Sequence, residues 1–108
     1  MTRPADAWTR LDPRDREALR RILLPLVQRH GAEVWLFGSR ARGDARRGSD
    51  IDVALVAPQP LPRDALARVR EALEESPIPF RVDVVDYRSA SEPLRRAIDT
   101  EGEAWKIG

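Results

Sequence analysis

The sequence predicts an α/β fold: a small mixed β-sheet of three to four strands with helices on one face. Three observations carry this. Short runs at 33–37, 50–56 and 80–86 are rich in β-branched and aromatic residues or alternate apolar with polar, as half-buried strands do. The stretches before, between and after them repeat apolar residues at helical spacing. Gly and Pro stand at the boundaries of both kinds of segment.

Taken in order, Asp12-Pro13 reads as an N-cap with Pro at the first helical position, and Leu19, Ile22, Leu23, Leu26 and Val27 then mark one apolar face up to Gly31. Pro25 lies inside this helix, removes a backbone donor and crowds the carbonyl of Arg21, so a kink or an early end is expected there. Glu33-Val34-Trp35-Leu36-Phe37 reads as a buried strand ended by Gly38, with Ser39 placed to cap a short helical turn. Residues 44–49 are small, charged or Gly and form an exposed loop, and the alternating strand 50–56 follows until Pro58, Pro60 and Pro62 end it. Leu66, Val69, Ala72 and Leu73 define a second amphipathic helix over 63–75, closed by Pro77 and Pro79. A third strand starts near Phe80. Ser91 caps a last helix carrying Leu94, Ala97 and Ile98, which ends at Gly102, and 104–107 supply a small edge strand.

At 108 residues the chain fits one domain, spanning 1–108. With 42% hydrophobic and 34% charged residues it belongs with ordinary globular chains rather than disordered ones. The absence of cysteine excludes disulfides and thiolate zinc sites, and the lone His30 cannot build a histidine cluster, so any metal must sit on oxygen ligands. The segment from Met1 to Asp6 has no apolar core of a leader, and no run is long enough to span a membrane, from which a cytoplasmic location is expected. A formal net charge of +1, with Lys106 the only lysine, gives no general polycation, so no stable nucleic-acid binding is expected.

The chemistry concentrates in the second and third strands. Alternation projects Asp50 and Asp52 from one face while Ile51, Val53 and Leu55 bury in the other, and at about 6.6 Å along the strand both carboxylates can reach one ion. In the third strand Phe80, Val82 and Val84 are the apolar series, which leaves Asp83 on the opposite face. If the strands share a sheet, three carboxylates converge, a costly arrangement unless a divalent cation neutralises it. Hard oxygen ligands select Mg²⁺ or Mn²⁺, the ions of phosphoryl and nucleotidyl transfer. Upstream, Gly38 and Ser39 stand where a strand turns into a helical segment, so backbone amides and the Ser39 hydroxyl can hold a phosphate, with Arg40 and Arg42 beside them. Gly38 lets a triphosphate approach the backbone, and Gly43 relieves the turn toward the carboxylate strand.

Gly38-Ser39, ten residues, then Asp50-Ile51-Asp52 resembles the GSx10DxD motif of the minimal nucleotidyltransferases in the DNA polymerase β superfamily. Gly38-Ser39-Arg40-Ala41-Arg42-Gly43 and Val82-Asp83-Val84-Val85 extend the likeness, which runs from the Trp35 strand to the Gly102 turn. The resemblance implies a polymerase β-like core. It implies that Asp50 and Asp52 bind two Mg²⁺ ions, that Asp83 completes the site and orients or deprotonates the attacking hydroxyl, and that ATP is the substrate and pyrophosphate leaves. It further implies an antitoxin that neutralises a HEPN-domain ribonuclease by adenylylating it. The chain spends its residues on the core, so the acceptor, or a second copy of the chain in a homo-oligomer, must supply the remaining binding surface. A rival reading is a non-catalytic subunit that masks its partner sterically. It has no chemical use for the three acids.

Other residues have plainer readings. Asp86 alternates with the apolar face and ends the strand or meets solvent. Arg46 and Arg47 belong to a solvated loop. His30 meets the carbonyls of a helix end. Trp35 packs in the core, Trp8 and Trp105 are placed for an oligomer or partner contact, and Tyr87 is structural.

Overall fold

A computed structural model describes residues 7–105. A 3₁₀ turn at Ala7–Arg10 is followed by α1 (Pro13–His30), β1 (Glu33–Phe37), α2 (Ser39–Arg42), β2 (Ile51–Val56), α3 (Arg63–Glu74), β3 (Val82–Asp86), a second 3₁₀ turn at Tyr87–Ser89, α4 (Glu92–Glu101) and β4 (Glu103–Trp105). The four strands form one mixed sheet in the order β3-β2-β1-β4, in which β1 runs antiparallel to both β2 and β4, and β2 and β3 run parallel. A parallel neighbour needs a crossover, and α3 supplies it.

The Asp12 carboxylate accepts the Arg14 amide at 2.8 Å, Pro13 occupies the first turn, and Gly31 closes α1 in the left-handed conformation. The early end expected at Pro25 does not occur: α1 runs through it to His30. Leu19, Leu23 and Leu26 lie buried on both sides of the proline, and burying them is worth about 1.5–3 kcal/mol each, which offsets the lost backbone bond. Ser91 caps α4 as expected, its Oγ accepting from the Leu94 amide.

The sheet divides two cores. Val34, Leu36, Ile51, Val53, Leu55 and Val84 face α1 and α3 in the larger one, with Leu19, Leu23, Leu66, Val69 and Leu73. The opposite face is not bare: Phe37 and Ala54 meet Ile98 of α4, with Trp35, Val85, Tyr87 and Leu94 around them. α4 therefore leans on the face that carries the even-numbered residues of β2, Asp52 among them.

Trp8 and Trp105 stack on each other at 4.3 Å, and Trp8 Nε1 donates to the Glu103 carbonyl at 2.8 Å. These two tryptophans, expected at an oligomer or partner contact, pack on each other and tie the first 3₁₀ turn to β4. The edge strand expected over 104–107 is present as Glu103–Trp105, while Lys106 and Ile107 lie outside the described residues, as does the segment Met1–Asp6. Among the described residues no helix is long and apolar enough to cross a membrane.

Candidate functional site

The parallel pairing of β2 with β3 sets Asp52 directly beside Asp83. Register partners on adjacent strands point their side chains to the same face, so the two carboxylates are neighbours about 4.8 Å apart at the backbone. On the other side of Asp52, its antiparallel partner is Phe37, the residue before Gly38. Asp50 does not open the strand, as the alternation had implied; β2 begins at Ile51, whose amide donates to the Arg81 carbonyl, and Asp50 lies exposed one residue earlier. β3 likewise begins at Val82 rather than Phe80.

Electrostatics report the crowding. The Asp52 carboxyl is half-buried and its pKa is pushed up to about 6, first by loss of water, then by the charges of Asp83 and Asp50, with Glu101 adding to the rise and Arg42 opposing it. Asp86, the other acid of β3, is buried and turned away from Asp83, its carboxylate accepting from the Arg88 amide to start the second 3₁₀ turn, so it ends the strand without meeting solvent.

The turn before α2 is built around the Asp52 carboxylate. Gly38 has φ 76° and ψ −159°, a conformation open to glycine alone. A Cβ there would stand 2.3 Å from Asp52 Oδ2. Ser39 does not cap α2: Gly38 holds the cap position and no side chain bonds to the first turn, because the strand turns straight into the helix with Ser39 as its first helical residue. Gly43 ends α2 at φ 88°, returning its amide to the Ser39 carbonyl, and so turns the chain toward β2 as expected.

The two arginines of α2 diverge. Arg40 donates to the Ser49 carbonyl at 3.2 and 2.8 Å and to the Asp50 carbonyl at 3.3 Å, and lies 4.6 Å over the Phe80 ring. It is engaged in fixing the loop that delivers Asp50 to β2. Arg42 points the other way: Nε donates to Asp44 at 3.1 Å and Nη1 to both oxygens of Glu101 at 3.1 and 3.0 Å. The hydrogen bonds to Asp44 and then Glu101 raise its pKa further above the usual arginine value. Glu101 also accepts the Gly38 amide at 3.2 Å.

Glu101 was missed by sequence reasoning, and no local signal could have found it, since it reaches Gly38 and Arg42 only after three more strands and helices have been laid down. Asp15 was also missed. It is buried in the first turn of α1, its pKa raised by loss of water and by Asp12 and lowered by Arg40. Arg46 and Arg47 are exposed, as expected. Tyr87 donates to Asp99 at 2.9 Å and sits beneath Arg95, a structural placement.

The donor set is oxygen-rich and free of sulfur and imidazole, which suits a hard divalent cation. It is not a closed cage: among the described residues, no three His, Cys, Asp or Glu side chains already stand as an ion-holding cluster.

The family described as Polymerase beta, Nucleotidyltransferase matches residues 28–104, a span that holds the glycine turn, both carboxylate strands and α4. The chain belongs to this family. It is 45% identical over 65 residues to a Haemophilus influenzae protein named "Probable protein adenylyltransferase MntA", an alignment covering 60% of this chain and 57% of that one, so the chain spans little more than half of that relative's length. It is similar to a solved toxin-antitoxin structure with AMP-PNP, at 31% identity and TM-score 0.63 over 80% of this chain and 72% of the other. A further structure, the tri-AMPylated Shewanella oneidensis HEPN toxin in complex with MNT antitoxin, is 25% identical with TM-score 0.54, covering 82% and 71%.

Proposed function

We propose that this domain is a protein adenylyltransferase that moves AMP from ATP to a hydroxyl of a partner protein, the partner being a HEPN-domain toxin that the modification neutralises. The observation that carries this reading is the pairing of Asp52 with Asp83 on adjacent parallel strands, beside a glycine turn shaped around the Asp52 carboxylate. The names of the similar proteins agree with it: a protein adenylyltransferase, and an antitoxin in complex with an AMPylated HEPN toxin.

Asp50, Asp52 and Asp83 are the residues that would hold two Mg²⁺ ions. Asp52 fits that task because burial, and then the charges of Asp83 and Asp50, already disfavour its anion, and an open set of carboxylates is what Mg²⁺ accepts when phosphates and waters complete its shell. When bound, the ions supply charge neutralisation at the reacting phosphate. The chain's own residues do the rest. Gly38 and Ser39 offer an amide and a hydroxyl to the triphosphate, and Arg42 offers a guanidinium. Arg40 acts from behind by fixing the loop that carries Asp50. Asp83, exposed on the outer strand of the sheet, would take the proton of the acceptor hydroxyl as the new P–O bond forms at the α-phosphate. The bond from the α-phosphorus to the bridging oxygen breaks and pyrophosphate leaves with the electron pair.

The test is transfer of label from ATP labelled at the α- or γ-phosphate to a HEPN toxin in the presence of Mg²⁺. Label is expected on the toxin from the α position alone. Asp52→Asn and Asp83→Asn should each lower the rate by at least about 100-fold, the scale of losing one positioned catalytic group. Silencing of the toxin by the wild-type chain with no label transferred would instead support steric masking.

A further inference from the structure

Glu101 is the last residue of α4, where a negative charge is disfavoured by the helix dipole. Both of its carboxylate oxygens are nonetheless bonded, accepting the Gly38 amide at 3.2 Å and Arg42 Nη1 at 3.1 and 3.0 Å. Gly38 and Arg42 are two of the groups assigned above to the nucleotide phosphates. An internal anion therefore holds them already. Guanidinium groups bind carboxylate and phosphate oxygens through the same fork of donors, so one can replace the other with little change in bonding. Glu101 also lies within the field of the catalytic acids, since it and Arg42 act on Asp52 in opposite senses. Arg42 remains half-exposed, with 45% of its side chain accessible against 20% for Glu101, so an incoming anion can reach the guanidinium before the carboxylate has left.

We propose that Glu101 is an internal stand-in for a nucleotide phosphate, holding the Gly38 amide and the Arg42 guanidinium until the triphosphate of ATP displaces it. The proposal rests on the nucleotidyltransferase reading. Its consequence is competition: each ATP that binds must first detach Glu101, and the release removes one like charge from a site already holding Asp50, Asp52 and Asp83. Asp44 accepts from Arg42 Nε at 3.1 Å, a contact separate from the one that Glu101 makes with Nη1.

The experiment is calorimetric binding of ATP with Mg²⁺ to the full chain as wild type, Glu101→Gln, Arg42→Ala and the double variant, with a thermal melt of each. Glu101→Gln keeps an oxygen for the Gly38 amide while removing the charge that ties down Arg42. It should bind ATP about fivefold more tightly or better, the low end of couplings between interacting groups, and the gain should vanish in the Arg42→Ala background. Equal or weaker binding by Glu101→Gln overturns the proposal and marks Glu101 as a structural pin, a role that would show as a lowered melting temperature. A gain that persists without Arg42 overturns it as well, because it would then come from net charge. Absence of ATP binding to both wild type and Glu101→Gln would overturn the nucleotidyltransferase reading itself.

Discussion

Replacing Gly38 by alanine should damage stability and activity by two separable routes. The backbone there has φ 76° and ψ −159°, and holding a residue with a Cβ in that region costs about 1–3 kcal/mol. The added methyl would also stand 2.3 Å from Asp52 Oδ2, 3.1 Å from its Cγ and 3.3 Å from its Cβ. An atom cannot remain at the first of these distances. Either the turn or the carboxylate must move by about 1 Å, and a displacement of that size in a reacting group costs on the order of 100-fold in rate. Together the strain and the contact should remove about 2–3 kcal/mol, which in a domain of this size lowers the melting temperature by roughly 10–20 °C. Thermal unfolding followed by circular dichroism reads the first effect, and α-phosphate transfer at a temperature where the variant is folded reads the second. A Gly38→Ala protein that melts within 2 °C of wild type and transfers label at an undiminished rate would refute the claim that this turn is fitted around Asp52.

Two other substitutions test the electrostatics and the loop. Asp52 has a folded pKa of about 6 against an ordinary 3.8, so between these values the folded chain holds the proton more tightly than the unfolded chain does. Ionising it therefore subtracts stability as pH rises through this window. With no divalent ion present, Asp52→Asn should stabilise the fold by about 1 kcal/mol at pH near 7.5, after allowance for solvent screening of a half-exposed group, and should have no such effect near pH 4; an equal shift at both pH values would contradict this origin. Arg40→Ala, which loses hydrogen bonds to the Ser49 and Asp50 carbonyls and the stack on Phe80, should cost about 2 kcal/mol by denaturant unfolding, and Arg40→Lys should recover less than half because the planar fork is gone.

The sheet and its long helices were legible because their causes are local. β1 matched its expected limits, α3 matched to within a residue, α1 began and ended where its caps placed it although it ran through Pro25 without the early end, and both the Asp12 and Ser91 caps were in place, since each depends on a few neighbouring residues. The pairing of Asp52 with Asp83 could be anticipated only on the condition that the two strands were neighbours, and the alternation then gave the correct face. What alternation misjudged were the strand starts, which fall at Ile51 and Val82, the first paired positions of the two strands. The resemblance covered the glycine turn and the aspartates. It offered no warning that Arg40 and Arg42 would part company, because that depends on where Phe80 and Glu101 come to rest. Glu101, Asp15 and the Trp8–Trp105 stack were beyond sequence reasoning for the same reason: each owes its role to a contact made by the completed fold.

The parallel pairing of β2 with β3 carries a consequence for quality control. A slip of one position in β3 would bring Val82 or Val84 opposite Asp52 and drive Asp83 into the oily layer beneath the sheet. The slip that parts Asp83 from Asp52 would thus also bury a charge in the interior, so one register sets both the core and the candidate site.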